Sequence, residues 1–287
     1  MTAGPLVPVG ASADQSRDLP VMLFARTFSG RPLVVGSEAS LELRGGDRLG
    51  ADRILAELDL DWEPEFMLSV QRACALQRVR GRRWFTMPAI LLGGEVGAGR
   101  THVARSLARA AGVPHISFDA GVDMFVQPRY GPDLQLPLPL CAAMVASGCA
   151  NPVISILGIE CASREMVDLV ARLVDGASNA GFPDPTLAAV LDYSAVTWIV
   201  QAHDVDAVPP VLADRLNRVD LQGWQATQFE LRSIDILAEV LADRAIPVPT
   251  GLDLDDLFKS VRSWRYLPTA ELYRRIDVLV DAHASPF

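Results

Sequence analysis

The chain has 287 residues, a formal net charge of −9 and an apolar fraction of 50%, which excludes an intrinsically disordered polypeptide and allows a sizeable core. Of its 26 basic residues only Lys259 is a lysine, leaving 25 arginines. Scattered arginines in an acidic chain, with no dense run outside 78–83, argue against nucleic acid or an anionic membrane as the main partner. The four cysteines (Cys74, Cys141, Cys149, Cys161) form no CxxC pair, and the four histidines lie at no ligand spacing from them. Neither a zinc site nor a disulfide framework is expected, which suits a reducing, cytoplasmic setting.

In chain order, residues 1–20 read as a flexible tail rich in Pro, Gly, Ala and Ser, without the basic region and unbroken apolar run of a secretory signal. An apolar run at 21–25, a turn at Gly45-Gly46 and a helix over 51–58 make up a short N-terminal region, 21–60. A helix from Trp62, with Phe66, Val70, Cys74 and Leu76 towards one side, leads into the basic run RVRGRRW. After Pro88 the continuous apolar run AILLGG reads as a strand buried on both faces. A helix over 101–111 ends at Gly112, followed by a strand over 115–119, a helix over 138–147 and a strand over 153–159. The stretch 134–159 is uncharged and long enough to span a bilayer, but Pro137, Pro139, Asn151 and Pro152 divide it, so no membrane span is expected. Met166, Leu169, Val170, Leu173 and Val174 trace an amphipathic helix, and strands over 195–202 and 217–221 flank a short helix after Pro210. Strands alternating with helices predict a parallel, doubly wound α/β domain over 61–224. Beyond Gly223 only helical patterns remain, over 227–243, 254–263 and 269–283, predicting a small all-helical unit over 225–287.

The chemistry concentrates after the 88–93 strand. Gly94, Glu95, Val96, Gly97, Ala98, Gly99, Arg100 and Thr101, followed by His102, fit the phosphate-loop pattern G-x-x-x-x-G-K-[ST] at every fixed position except the lysine. Glycines let successive backbone N–H groups turn inward as an anion nest, and the helix that follows adds partial positive charge. The Thr101 hydroxyl is the expected Mg²⁺ ligand. Arg100 replaces the compact ammonium with a wide planar fork, and Glu95 places a carboxylate within the loop. The alternative is a glycine-rich strand-to-helix turn that holds no ligand.

From about residue 88 to 276 the chain resembles the AAA+ ATPases, and within them the ATPase module of Lon-type proteases. The likeness rests on the loop, on Asn151-Pro152 opening the third strand, on Phe182-Pro183-Asp184, and on VTWIVQAHDVDAVPPVLADR, which ends in Asp214-Arg215. The resemblance implies a P-loop NTPase-type parallel sheet with a helical lid, bound ATP or ADP, assembly with other AAA+ subunits and a protein client. No counterpart of the Lon protease domain is expected. The resemblance also implies departures from the working pattern. Leu157 and Gly158 fall where the magnesium-supporting aspartate and water-activating glutamate of the Walker B strand belong, with Glu160 two positions on. His203 takes the sensor-1 position, Ala270 that of the sensor-2 arginine near Arg265 and Arg274, and Arg215 that of the arginine finger. Losing both carboxylates removes the main supports of phosphoryl transfer, so weak or absent hydrolysis is expected.

Three readings follow. The chain is a nucleotide-binding subunit with weak or no turnover, a slow ATPase in which Glu160, Asp119 or a residue from another chain replaces the lost carboxylates, or a scaffold that binds no nucleotide. Smaller candidates are Tyr130-Gly131, an aromatic pore loop by the resemblance or an ordinary turn; a Cys161/His203 nucleophile pair or packing residues; and Arg78, Arg80, Arg82 and Arg83, a gripping surface or a solvated basic face.

Overall fold

The computed structural model of the protein describes residues 21–27, 38–46, 48–58, 60–121, 139–184, 189–223, 229–244, 259 and 269–283. By its contacts the chain divides into two compact units, 1–93 with 101–220, and 94–100 with 221–287. Tyr130-Gly131, Arg265 and most of the 254–263 helix lie outside the described residues, as do the side chains of Ala270 and His283.

The first unit is built on a five-stranded parallel sheet of β3 (Ile90–Gly93), β4 (His115–Asp119), β5 (Val153–Leu157), β8 (Thr197–Gln201) and β9 (Asn217–Asp220). Their order is β4-β5-β8-β3-β9, which places the first of these strands between the last two. This is the parallel α/β architecture the alternation predicted. All residues of β3 and β8 are buried, as expected for inner strands covered on both faces. Helices α1 (Arg48–Glu57), α2 (Pro64–Val79), α3 (Arg100–Ala111), α4 (Pro139–Ser147), α5 (Arg164–Val174) and α6 (Pro210–Ala213) complete the alternation. Ser163 caps α5 by accepting from the Met166 N–H. In α2 the buried stripe runs Phe66, Val70, Ala73, Cys74 and Gln77, so Leu76 lies on the outer side.

The N-terminal region does more than precede this domain. β1 (Val21–Thr27) pairs antiparallel with β2 (Glu38–Glu42) and also with β7 (Ala189–Leu191), which pairs with β6 (Phe182–Asp184). The resulting order is β2-β1-β7-β6. Phe24, Leu41 and Leu43 enter one hydrophobic core with Leu140, Met144, Ile154, Ile156, Val170, Tyr193 and Trp198. Tyr193 packs edge-on against Phe24, Phe182 and Trp198.

Asn151 joins the same pieces by polar contacts. Fully buried, it donates from Nδ2 to the carbonyls of Arg44 (2.7 Å) and Phe85 (2.8 Å), and Oδ1 accepts from the Arg44 N–H (2.8 Å). Its amide thereby adds to the direct backbone bond between these two segments, from the Phe85 N–H to the Arg44 carbonyl (2.9 Å).

In the second unit α7 (Phe229–Asp243) and α8 (Thr269–His283) pack together. Ile236, Leu237, Val240 and Leu241 face Leu272, Ile276 and Val280, and Arg244 forms ion pairs with Asp277 and Asp281. No helix among the described residues is long and apolar enough to cross a membrane.

Candidate functional site

The loop joining β3 to α3 has the backbone its sequence requires. Gly94, Gly97 and Gly99 have φ of 136°, 88° and 90°, values that residues with a Cβ adopt only at a cost. The turn closes on a hydrogen bond from the Ala98 N–H to the Glu95 carbonyl (3.0 Å). At Gly94 a Cβ would lie 3.1 Å from Ala98 Cβ and 3.2 Å from the Leu221 carbonyl, so space as well as conformation requires glycine there. Glu95 and Val96 are exposed at the crest. Arg100 folds its guanidinium back to donate to the Gly94 carbonyl, tying together the two ends of the loop. Thr101 is half-buried, whereas His102 is buried and hydrogen-bonded through Nε2 to Ser106 Oγ (3.0 Å) one turn along α3.

Within the first unit, β3, β5 and β8 all end on one edge of the sheet. β5 stops at Leu157; Gly158 takes a left-handed conformation (φ 65°, ψ 37°) and a 3₁₀ turn runs from Ile159 to Cys161. That turn swings Glu160 across to the end of β8, where Oε1 accepts from the His203 N–H at 2.9 Å. Oε2 is also buried and has no hydrogen-bond partner among the described residues. His203 and Cys161 are exposed. Two further carboxylates end strands on this edge. Asp119 accepts from the Gly121 N–H, and Asp220, opposite Gly93 in the β3–β9 register, pairs with Arg218 at 2.7 Å. Asp220 was no candidate on sequence grounds, because only the strand register brings it beside Gly93 at the end of β3. Among the described residues no group of three His, Cys, Asp or Glu could hold a metal ion.

Behind this edge a buried polar chain crosses the sheet. His115 hydrogen-bonds to Ser155 Oγ (2.9 Å), which accepts from Gln201 Nε2 (3.2 Å). Burial, with the nearby charge of Arg105, pushes the imidazole down to about 4, so His115 is neutral near neutral pH. Burial also pushes the thiols of Cys74 and Cys141 up to about 11 and about 12, which suits packing rather than nucleophilic roles. Arg215, at the end of α6, donates to the Val211 carbonyl and lies 3.9 Å from Asp175.

No family model matches the chain. Among known proteins it is 26% identical over 178 residues to the mitochondrial Lon protease homolog 3 of Arabidopsis thaliana, which covers 58% of this chain and 19% of that protein. It is 27% identical over 143 residues to the mitochondrial Lon protease homolog of Mus musculus, covering 47% and 15%. With the Lon protease of Chloroflexus aurantiacus the figures are 28% over 174 residues, 56% and 20%. The chain thus spans about a fifth or less of the length of these relatives. A solved RuvB mutant of Thermotoga maritima superposes with a TM-score of 0.43 at 15% identity, covering 62% of this chain and 52% of that one.

Proposed function

We propose that this chain, distantly homologous over about half its length to the ATPase region of Lon proteases, is a nucleotide-binding subunit that holds ATP or ADP on the 94–101 loop and turns it over weakly or not at all. The observation that carries the reading is the loop backbone. Three glycines in conformations only glycine adopts freely, leading straight into α3, are what an anion nest at a helix N-terminus requires. The phosphates are the part of a nucleotide these residues suit. Magnesium is supported by Thr101 alone, since Leu157 and Gly158 offer no oxygen ligand from their side chains and the strand turns away after them. We assign the nucleotide module to 61–224 and a lid to 225–287. Arg215, partly exposed at the end of α6, is the group offered to a neighbouring subunit, in an assembly acting on a protein client.

Titration of fluorescent ATP and ADP with and without Mg²⁺ tests this. Saturable binding that needs no Mg²⁺ and disappears in Gly97→Val is expected. Lack of saturation at about 1 mM nucleotide, an affinity of only some 4 kcal/mol, would overturn the reading and leave a nucleotide-free scaffold.

One observation favours slow hydrolysis as a second reading. Glu160 brings a carboxylate to the end of β8, with one oxygen unpartnered among the described residues, and an unsatisfied carboxylate oxygen is a potential acceptor for a water proton. Phosphate release above the buffer rate that vanishes in Glu160→Gln would establish it.

A further inference from the structure

The edge of the parallel sheet at which the strands start carries a second feature. A cleft of about 320 Å³ opens at the starts of β3, β8 and β9, at the lower end of the range for small-molecule sites. Arg80 and Arg82, just past the end of α2, line it on one side and Arg215 on another; no Asp or Glu is among its lining residues. In a chain of net charge −9, three arginines lining one cleft without a lining carboxylate form a local reversal of sign. Arg80 and Arg82 have no carboxylate within ion-pair distance among the described residues, and Arg82 lies over the Trp84 ring at 6.0 Å. Burial and the like charge of Arg80 lower the affinity of Arg82 for its proton, as expected of cations crowded without a counter-charge. Arg215 is compensated only in part, by Asp175 at 3.9 Å from outside the cleft.

The rest of the lining suits an organic body. Leu76, Val196 and Met87 supply apolar surface, and Trp198 and Asn179 supply polar groups. Trp198 is 2% exposed and Asn179 7% exposed. The indole Nε1 of Trp198, a donor, is buried without a hydrogen-bond partner among the described residues.

We propose that this cleft is a binding site for a small oxyanion, a phosphate monoester or carboxylate carried on a flat apolar body, with Arg80 and Arg82 as the principal anion contacts. Guanidinium groups favour these anions because their planar donor forks match two oxygens at once. Its lining shares no residue with the 94–101 loop, and its occupancy does not depend on nucleotide.

The experiment uses the full chain and three probes, phenyl phosphate, benzoate and phenol, followed by intrinsic tryptophan fluorescence and by calorimetry. Phenyl phosphate and benzoate should saturate the signal below about 10 mM, while phenol, which has the same ring without the anion at neutral pH, should not. Arg80→Gln and Arg82→Gln should each weaken binding by about tenfold. Arg83→Gln, which removes an exposed charge outside the cleft, should leave binding unchanged. Thermal unfolding of each variant confirms that it is folded, and Arg80, being exposed, is the substitution least able to disturb the fold. An equal response to phenol, no saturation with either anion, or affinities unchanged in both cleft variants would overturn the proposal. A response lost equally in Arg83→Gln would do so too, by showing attraction to the basic run at large.

Discussion

Glu160 reaches across the end of the sheet to accept a hydrogen bond from the main-chain N–H of His203, linking the turn after β5 to the turn after β8. Two properties of this residue are separable by substitution. Glu160→Ala removes the acceptor and should lower stability by about 1 kcal/mol, read from the denaturant midpoint. Glu160→Gln retains an acceptor and should keep the midpoint while reducing any phosphate release to the buffer rate. A drop in stability for Gln as large as for Ala would show that the charge, not the acceptor, holds this edge together.

Arg100 is the second target. Its guanidinium is directed to the Gly94 carbonyl, so part of its hydrogen-bonding capacity serves the loop itself. Arg100→Lys substitutes a compact point charge that suits a narrow phosphate nest. Fluorescent ATP should bind about tenfold more tightly, a gain of some 1.4 kcal/mol. Weaker binding in the lysine variant would show that the tie to Gly94 shapes the nest.

The end of β5 is the third. Leu157→Asp with Gly158→Glu would place there the two carboxylates that the Lon-type resemblance implies, and a Cβ at Gly158 meets no atom within 4 Å. Its left-handed backbone still penalises any side chain, by about 1–2 kcal/mol. The double variant should be less stable by about that amount and gain measurable phosphate release. If stability falls with no gain in release, the course of the turn, not the missing carboxylates, limits hydrolysis.

The pH dependence of stability should carry the signature of His115. Its folded pKa of about 4 lies below the unfolded value of 6.5, so the unfolded chain takes up the proton first as pH falls. This contribution is fully present above about pH 6.5 and is lost as pH drops towards 4, at up to about 1.4 kcal/mol per pH unit. His115→Asn should flatten that slope between pH 6.5 and 4 in urea titrations. An unchanged slope would assign the acid loss to carboxylates instead.

Asn151→Ala should be among the costlier single substitutions. It leaves the Arg44 N–H and the carbonyls of Arg44 and Phe85 without their side-chain partner in a buried setting, a loss of about 3 kcal/mol. A thermal midpoint within 2 °C or so of the parent would show that water replaces the amide.

The alternation of β3, α3, β4, α4, β5, α5, β8 and β9 was legible because each element carries its own local pattern, and the loop because its glycines are neighbours in sequence. The four-stranded antiparallel sheet was not. β6 and β7 are three residues each, β6 contains Pro183, and β1 pairs with a strand far along the chain, so no local window holds the signal. Asn151-Pro152 registered as a break and a family mark, while its buried amide contacts depend on segments remote in sequence. Likewise the position of Glu160, two residues past the end of the strand pattern, gives no sign of its contact with the His203 N–H. The left-handed Gly158 and the 3₁₀ turn make that contact, and one glycine among 21 does not announce it.

The pairing of β1 with β7 also sets a timetable. Val21–Thr27 leaves the ribosome well before Ala189–Leu191, so one of its edges has no partner until that strand follows, and Arg44 waits 107 residues for Asn151. At about 5–20 residues per second of synthesis, the N-terminal strands spend roughly ten seconds or more as an unfinished sheet with Phe24 and Leu41 unshielded. That wait makes the nascent chain, rather than the finished fold, the form more exposed to aggregation.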